Sequence, residues 1–318
     1  MDPRVKPAGD TCGVSGEENE PEKGLMVAFA NILLGGVFHA AVLFLVAAGL
    51  QLVFGVQKIL NLACGSFYAL GAYFGVSFVG YAMTAGLSPW LILPGLLVAG
   101  VTLGFIGPPI ERLLRAVYGR DDSFQLLLTF ALVLMFQDVF RFVWGPNPRS
   151  LDSAYLIYGV INAREFSVPV YNLLVIAAAI ATAAGFGALL QRTNYGRILR
   201  ATAENRAMAE ALGVDVRRLY AVVFTIGAVL GTTAGALVVP TAAASLDMAI
   251  DFVIEAFAVV VIGGLGSMRG ALAGALIVGL IRAYAIMLYP EAEVLAIYVI
   301  VIAVLLLRPA GLFGRPVT

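Results

Sequence analysis

Polar side chains stand inside three otherwise apolar or Ala-rich stretches of the chain, and their chemistry suggests where a function could lie. The first stretch, residues 49–75, places Gln51, Asn61 and Ser66 among apolar residues and spaced glycines. Polar groups at membrane depth usually face a bundle interior or a water-filled path. Because glycines let a helix stop partway, these side chains are predicted to line a path through a membrane. The structural alternative is an ordinary hairpin with Lys58 at the membrane surface.

A second polar stretch, late in the chain, contains one carboxylate near the start of an apolar run. This carboxylate is Glu255, and Gly263 and Gly264 interrupt the run that follows it. An ionisable residue within a membrane segment is a functional candidate, so these three residues are also predicted to line the path. The alternative is an interfacial Glu255 that pairs with a neighbouring side chain. Asp138 and Arg141, three residues apart, are predicted to pair with each other on one helix face.

The third stretch, residues 193–219, is polar and rich in Arg and Ala. Its alanines favour a helix over residues 197–212, Gly213 suits the position just after a helix end, and Asp215 could cap the next helix. One face of this predicted helix is small and weakly apolar, which suits a groove on a partner protein better than a core. That face contains Ile198, Ala201, Asn205, Met208 and Leu212. The alternative is a solvated loop helix.

The composition places the chain among integral membrane proteins. Of the 318 residues, 61% are hydrophobic and 13% are charged, whereas a soluble domain carries about 25% charged residues. The net charge is +0, so no overall charge draws the chain to nucleic acid. We expect an all-α, polytopic bundle of eight or nine spans with glycine-broken or half-helices. The apolar runs are 27–50, 65–83, 90–110, 124–144, 171–190, 219–239, 252–265, 271–289 and 294–307.

Charge placement predicts the orientation of the chain. Arg residues concentrate in the loops 112–122 and 191–218 and in the C-terminal tail, and such loops are cytoplasmic by the positive-inside rule. The polar N-terminal tail, residues 1–25, is then predicted to lie outside. This conflicts with eight spans, because an even number of crossings leaves both termini on the same side of the membrane. We expect residues 26–318 to form one transmembrane domain. The tail does not resemble a signal peptide, and one hypothesis is that translation starts at Met26.

Several kinds of catalytic or cofactor site find no support in the sequence. A GxxxxGK[ST] phosphate loop is absent, so the chain by itself cannot be an ATPase. HExxH and GxSxG are absent too, and the two cysteines and His39 form no metal-ligand cluster in the sequence. The sequence predicts no enzyme, no metal site and no cofactor, with His39 a packed helix residue. A secondary transporter with Glu255 and Asp138 as ion-coupling carboxylates stays open as an alternative.

Three motifs resemble the branched-chain amino acid ABC-importer permease family, the LivH/LivM type, and LivH more closely. They read GLQLVFGVQKILNLACGSFYALGAY from Gly49, RATAENRAMAEALGV from Arg200 and EAFAVVVIGGLGSMRGA from Glu255. They stand in the family's order and anchor nearly the whole chain after the N-terminal tail. One departure is Cys64, which stands where the family commonly has His.

The resemblance implies a pore-forming permease subunit of an ABC importer for branched-chain amino acids or related small polar amino acids and amides, in the bacterial inner membrane. Such a permease works by alternating access with two cytoplasmic ATPase subunits, a second permease (a paralogue or a second copy) and a periplasmic substrate-binding protein. The loop 191–218 would carry the helix that docks in the ATPase. The residues predicted to couple the two subunits are Arg197, Arg200, Ala201, Glu204, Asn205, Ala209, Leu212 and Gly213.

Overall fold

The computed structural model describes residues 20–151, 158–163, 166–308 and 310–314. These residues are mostly helical, as the apolar runs predict, and they include one two-stranded antiparallel hairpin. Residues 1–19, most of the predicted N-terminal tail, lie outside the described residues. The first helix begins at Glu20, so the last part of the predicted tail is helical.

The described residues form helices in every predicted apolar run. The hairpin strands β1 (Val160–Ala163) and β2 (Phe166–Pro169) connect α5 to α6, with Val160 opposite Pro169. The helices are α1 (Glu20–Gln57), α2 (Cys64–Thr84), α3 (Ile92–Gly104), α4 (Gly107–Leu114), α5 (Asp122–Trp144), α6 (Val170–Arg192), α7 (Asn194–Glu204), α8 (Arg206–Ala211), α9 (Val216–Val238), α10 (Met248–Gly263), α11 (Met268–Leu288) and α12 (Glu293–Leu307).

Six helical stretches of the described chain are long and apolar enough to cross a membrane, judged by length and composition. The remaining predicted runs correspond to α2, α10 and α12, which are also helical. The expected polytopic all-α bundle is therefore confirmed, and its helices are compatible with the predicted number of spans. The six stretches are Asn31–Gln57, Ile92–Val117, Ser123–Trp144, Val170–Arg192, Val216–Val238 and Met268–Leu288.

Helix α9 is central to the packing, because small residues along it let two other helices approach its backbone. A Cβ on Gly227 would lie 3.2 Å from the carbonyl oxygen of Gly49 in α1, and a Cβ on Gly235 would overlap the carbonyl oxygen of Tyr68 in α2. Small residues four apart allow this approach in lipid, where dispersion and hydrogen bonds drive helix association. Gly227, Gly231 and Gly235, which follow one another at intervals of four residues, thus form a seam between helices of one chain.

Glycine interrupts a helix in only one of the two segments where a break was expected. In the first segment, α1 runs through Gly55 and ends at Gln57, and α2 begins at Cys64, so a helix does stop within this segment but not at a glycine. Helix α10 does end at Gly263, and Gly264 has a φ of +94°, which glycine adopts without steric cost. A glycine lowers helix stability by only about 1 kcal/mol. A helix therefore stops at a glycine only where other contacts stabilise the non-helical backbone. After α10, the side chain of Gln51 makes such contacts, as described below.

Candidate functional site

The segment predicted as one helix over residues 197–212 is two helices, α7 and α8, so the single-helix prediction is wrong. Asn205 separates them: its backbone is extended, and its Oδ1 accepts a 2.9 Å hydrogen bond from the N–H three residues later. This is the geometry of a helix N-cap, so a new helix starts there. Gly213 has a φ of +87° just after α8. Asp215 Oδ1 accepts a 3.1 Å hydrogen bond from the Arg218 N–H and caps α9, as predicted.

The residues predicted to couple the chain to an ATPase lie mostly at the surface of α7 and α8. Ala209 is the exception, with 4% of its surface exposed, so its side chain packs inside the protein. Two large apolar side chains are strongly exposed here, Met208 by 57% and Leu212 by 78%, and exposed apolar groups of this kind can mark a contact surface. We call α7, α8 and Leu212 the coupling segment. The exposed predicted residues are Arg197, Arg200, Ala201, Glu204, Asn205, Leu212 and Gly213.

The coupling segment is attached to the long helices through Tyr220 and Gln57. The Arg206 guanidinium lies 5.5 Å from the centre of the Tyr220 ring, and Gln57 Nε2 donates a 2.9 Å hydrogen bond to the Tyr220 carbonyl oxygen. The Tyr118 hydroxyl donates to Gln57 Oε1 at 3.2 Å, and burial raises the pKa of this phenol, so it remains a donor. A hydrogen bond to Glu210 raises the pKa of Arg206. These contacts connect α8 to the ends of α1 and α9.

Two of the predicted path residues lie where α1 passes into α2: Asn61 in the turn between them and Ser66 in the first turn of α2. Asn61 is buried, and its Oδ1 accepts a 3.1 Å hydrogen bond from the Ala63 N–H, so it stabilises the turn. Ser66 is fully buried, and its Oγ has no hydrogen-bond partner among the described residues. Lys58 is exposed in the turn, with a φ of 60°. The segment is thus a tight helical hairpin, which was the structural alternative.

Gln51 joins the C-terminal part of α1 to the turn between α10 and α11. Its Nε2 donates to the Gly264 carbonyl oxygen at 2.9 Å, and the Gly266 N–H donates to its Oε1 at 2.6 Å. Gly263 is buried in the same seam, and its carbonyl oxygen accepts a 3.0 Å hydrogen bond from the C-terminal backbone. Gln51 also borders a cavity of about 430 Å³, next to Arg200 of the coupling segment.

Glu255 belongs to a cluster of four polar side chains from four helices. Its Oε2 lies 2.7 Å from His39 Nε2 in α1 and 3.9 Å from Arg282 Nη1 in α11. The same Arg282 nitrogen is 2.5 Å from His39 Nδ1 and the guanidinium also pairs with Glu293 of α12. The pairing considered as the alternative for Glu255 is therefore present. The cluster ties α1, α10, α11 and α12 together.

Three members of this cluster, His39, Arg282 and Glu293, were not predicted as site residues. The first two stand in apolar runs, where an ionisable residue needs a partner, and that context was the available signal. His39 is packed, as expected, but it contacts two charged groups. The predicted pair of Asp138 and Arg141 is wrong, because they form no ion pair with each other in the described part of the chain.

The polar cluster borders a cavity of about 550 Å³ between α1, α6, α10 and α11. Glu255 is the predicted path residue that lines this cavity, and Gln51 lines the smaller one near the coupling segment. The other four predicted path residues border neither cavity. They are Asn61 in the α1–α2 turn, Ser66 inside α2, and Gly263 and Gly264 at the end of α10.

Comparison with known proteins gives a family match over most of the chain. The sequence profile of the family described as branched-chain amino acid transport system, permease component, matches residues 32–307. The high-affinity branched-chain amino acid transport system permease protein LivH of Escherichia coli (strain K12) is 28% identical over 297 residues, 91% of this chain and 96% of that protein.

Two further relatives align over similar lengths. The permease protein BraD of the same kind of system in Pseudomonas aeruginosa is 26% identical over 296 residues, 89% of this chain and 95% of that protein. A probable branched-chain amino acid transport permease protein LivH from Methanocaldococcus jannaschii is 29% identical over 308 residues, 89% of this chain and 92% of that protein.

The family supplies the membrane subunit of a transporter rather than an enzyme, and ATP hydrolysis resides in a separate subunit. The matched region contains the helices that line the cavities beside Gln51 and Glu255, and it also contains the coupling segment. With a polytopic helical bundle and a family match over residues 32–307, the chain belongs to the branched-chain amino acid transport permease family and is the pore-forming permease of an ABC importer.

Proposed function

We propose that the chain forms the path by which an ABC importer carries branched-chain amino acids, or related small polar amino acids and amides, into a bacterial cell. The observation that carries this proposal is the match of residues 32–307 to a permease family whose relatives are named for this transport. Glu255 and Gln51 are the proposed contacts with the path, because each borders a cavity. Asn61 and the glycine pair at the end of α10 shape the helices around it, and Ser66 is buried within α2.

The coupling segment supports a role for two cytoplasmic ATPase subunits. It is exposed, it presents Met208 and Leu212, and it is connected to α1 and α9 through Gln57 and Tyr220. A movement of the segment on ATP binding would therefore reach these helices and shift the bundle between inward-open and outward-open packings. The other proposed partners are a second permease, which is a paralogue or a second copy, and a periplasmic substrate-binding protein.

The proposed orientation has the N-terminus outside and the C-terminus in the cytoplasm of the inner membrane. Counting α3 and α4 as one crossing, the apolar helices other than those of the coupling segment make nine crossings. An odd number places the termini on opposite sides, which favours nine spans over eight. In a variant without Cys12, a membrane-impermeant maleimide should label Glu291→Cys but not Glu210→Cys in spheroplasts. The reverse labelling would contradict the orientation.

The test of the proposed function is uptake into proteoliposomes that contain this chain with its ATPase, second permease and binding protein. We expect uptake of radiolabelled L-leucine to require both ATP and the binding protein. A non-hydrolysable ATP analogue is the matched control and should abolish uptake. Uptake by the chain alone, driven by a proton or sodium gradient, would instead identify an ion-coupled carrier.

A further inference from the structure

The cavity beside Glu255 contains a buried polar atom that the described protein leaves without a partner. Asn172, in the first turn of α6, is 8% exposed, and its Oδ1 accepts no hydrogen bond from any described residue. The residue borders the cavity of about 550 Å³. Buried polar side-chain atoms are nearly always hydrogen-bonded, so an unpaired acceptor beside an open cavity suggests that a bound molecule donates to it.

One wall of the cavity carries an excess of negative charge. Asp251 and Glu255 are one turn apart on α10 and both border the cavity. Glu255 contacts His39 and Arg282, whereas the Asp251 carboxylate forms no ion pair or hydrogen bond within the described part of the chain. Among the residues that line the cavity, these two carboxylates face the one guanidinium of Arg282. This charge balance favours a ligand with a positively charged group near Asp251.

The same cavity also offers a group that can hold an anion. Arg282 uses Nε for Glu293 and Nη1 for His39, while its Nη2 makes no hydrogen bond to the described residues. A guanidinium has five N–H donors in a fixed, planar arrangement that matches a carboxylate. Arg282 can therefore keep its protein partners and still donate to a ligand carboxylate.

The rest of the lining is largely apolar. Ligand sites commonly combine an apolar wall with a few polar groups that set the orientation, in cavities of about 300–1,000 Å³. An aliphatic side chain would be buried against this wall, which limits the ligand to one with an apolar part. The large apolar residues of the lining are Ile32, Phe38, Val238, Met248, Phe252 and Ile286.

We infer that this cavity is a binding site for an α-amino acid zwitterion with an aliphatic side chain. The ligand's ammonium donates to Asn172 Oδ1 and to the Asp251 carboxylate, its carboxylate accepts from Arg282, and its side chain packs on the apolar wall. The inference rests on the proposed function and extends it, because it assigns substrate recognition to the permease chain itself as well as to a separate binding protein.

The experiment measures binding of radiolabelled L-leucine to the purified full chain in lipid nanodiscs, without ATPase subunits. Isopentylamine has the ammonium but no carboxylate, and 4-methylpentanoate has the carboxylate but no ammonium. Each is expected to compete at least about tenfold more weakly than unlabelled L-leucine, as for the loss of a hydrogen bond to a charged group. Competition by 4-methylpentanoate as strong as that by leucine would overturn the ammonium site.

Two variants test the named residues. Asp251→Asn and Asn172→Leu should each weaken leucine binding by about tenfold or more, while Glu291→Gln, at an exposed acid in the α11–α12 connection, should leave it unchanged. Asn172→Ser, which is smaller and polar, replaces Asn172→Leu if that variant does not fold.

Unchanged leucine affinity in the folded Asp251 and Asn172 variants would overturn the inference. A complete transporter that imports leucine through a chain that binds none by itself would also overturn it. In that case the proposed function would stand, so the two failures are distinguishable.

Discussion

His39 Nε2 and Glu255 Oε2 lie 2.7 Å apart, although the two residues are separated by 216 positions in the sequence. The contact joins α1 to α10, and Arg282 extends it to Glu293 of α12. A charged group away from water is tolerated only when its partners are present. The cluster therefore ties α1, α10, α11 and α12 together beside the cavity of about 550 Å³ and makes their packing depend on a few side chains.

Removing the central cation of this cluster should destabilise the bundle. Arg282→Leu leaves Glu255 and Glu293 without their guanidinium, and we expect a loss of about 2–3 kcal/mol, below the value for a fully buried pair because these side chains are partly exposed. The measurement is thermal unfolding in detergent. Arg269→Leu is the control, since Arg269 is exposed and forms no ion pair with the described residues. Equal unfolding temperatures for the two variants would argue against this role.

Replacing Gln57 should separate ATP hydrolysis from transport. Gln57→Met keeps the side-chain length but removes the bonds to the Tyr220 carbonyl and the Tyr118 hydroxyl. We expect leucine uptake to fall about tenfold, within the usual range of coupling between distant sites, while ATP hydrolysis by the assembled transporter continues. Glu291→Met, at an exposed residue of the α11–α12 connection that borders neither cavity, is the control. Normal uptake by the Gln57 variant would show that this contact does not transmit movement.

The surface of the coupling segment and its interior should respond differently to a charge. Leu212→Asp places a carboxylate on an exposed residue, so the chain should fold normally but bind the ATPase subunits at least about tenfold more weakly, as for loss of an apolar contact at the centre of an interface. Arg200→Glu reverses an exposed positive charge on α7 and tests whether that charge contributes to ATPase binding. Co-purification with the ATPase is the measurement, and full retention of the ATPase would contradict the docking role.

A matched substitution inside the segment separates docking from folding. Ala209 is buried, so Ala209→Arg should destabilise α8 itself and lower the yield of folded protein, rather than acting only on the ATPase. From highest to lowest, the expected order of unfolding temperatures is wild type, Leu212→Asp and then Ala209→Arg. A fully stable Ala209→Arg protein would show that α8 does not pack as described.

Two glycines of α2 provide a test of the helix seam. A Cβ on Gly71 would overlap the carbonyl oxygen of Thr232 in α9, whereas a Cβ on Gly80 meets no atom within 4 Å. Gly71→Ala should therefore cost about 1–3 kcal/mol through overpacking, and Gly80→Ala should be neutral or slightly stabilising, because alanine favours a helix more than glycine does. Thermal unfolding in detergent distinguishes the two. Similar effects of both substitutions would contradict the close α2–α9 contact.

The sequence by itself determined the class of fold and several local features. Long apolar runs predict helices because lipid offers backbone N–H and C=O groups no partner outside a helix. Gly213 and Asp215 were predicted correctly because helix ends depend on residues only a few positions apart. Asn205 carried the same kind of local signal, but the many alanines around it favoured one continuous helix over two.

Only the tertiary structure decided which polar residues meet. Gln51 bonds to Gly264 across 213 positions, and His39 reaches Glu255 across 216. A run of apolar residues does not specify how far a helix is rotated or at what depth it crosses its neighbours, because those are set by contacts with the other helices. The close glycine contacts of α9 with α1 and α2, and of α10 with α11, set this arrangement. They thereby turn separate polar residues of α1, α6, α10 and α11 into the lining of one cavity.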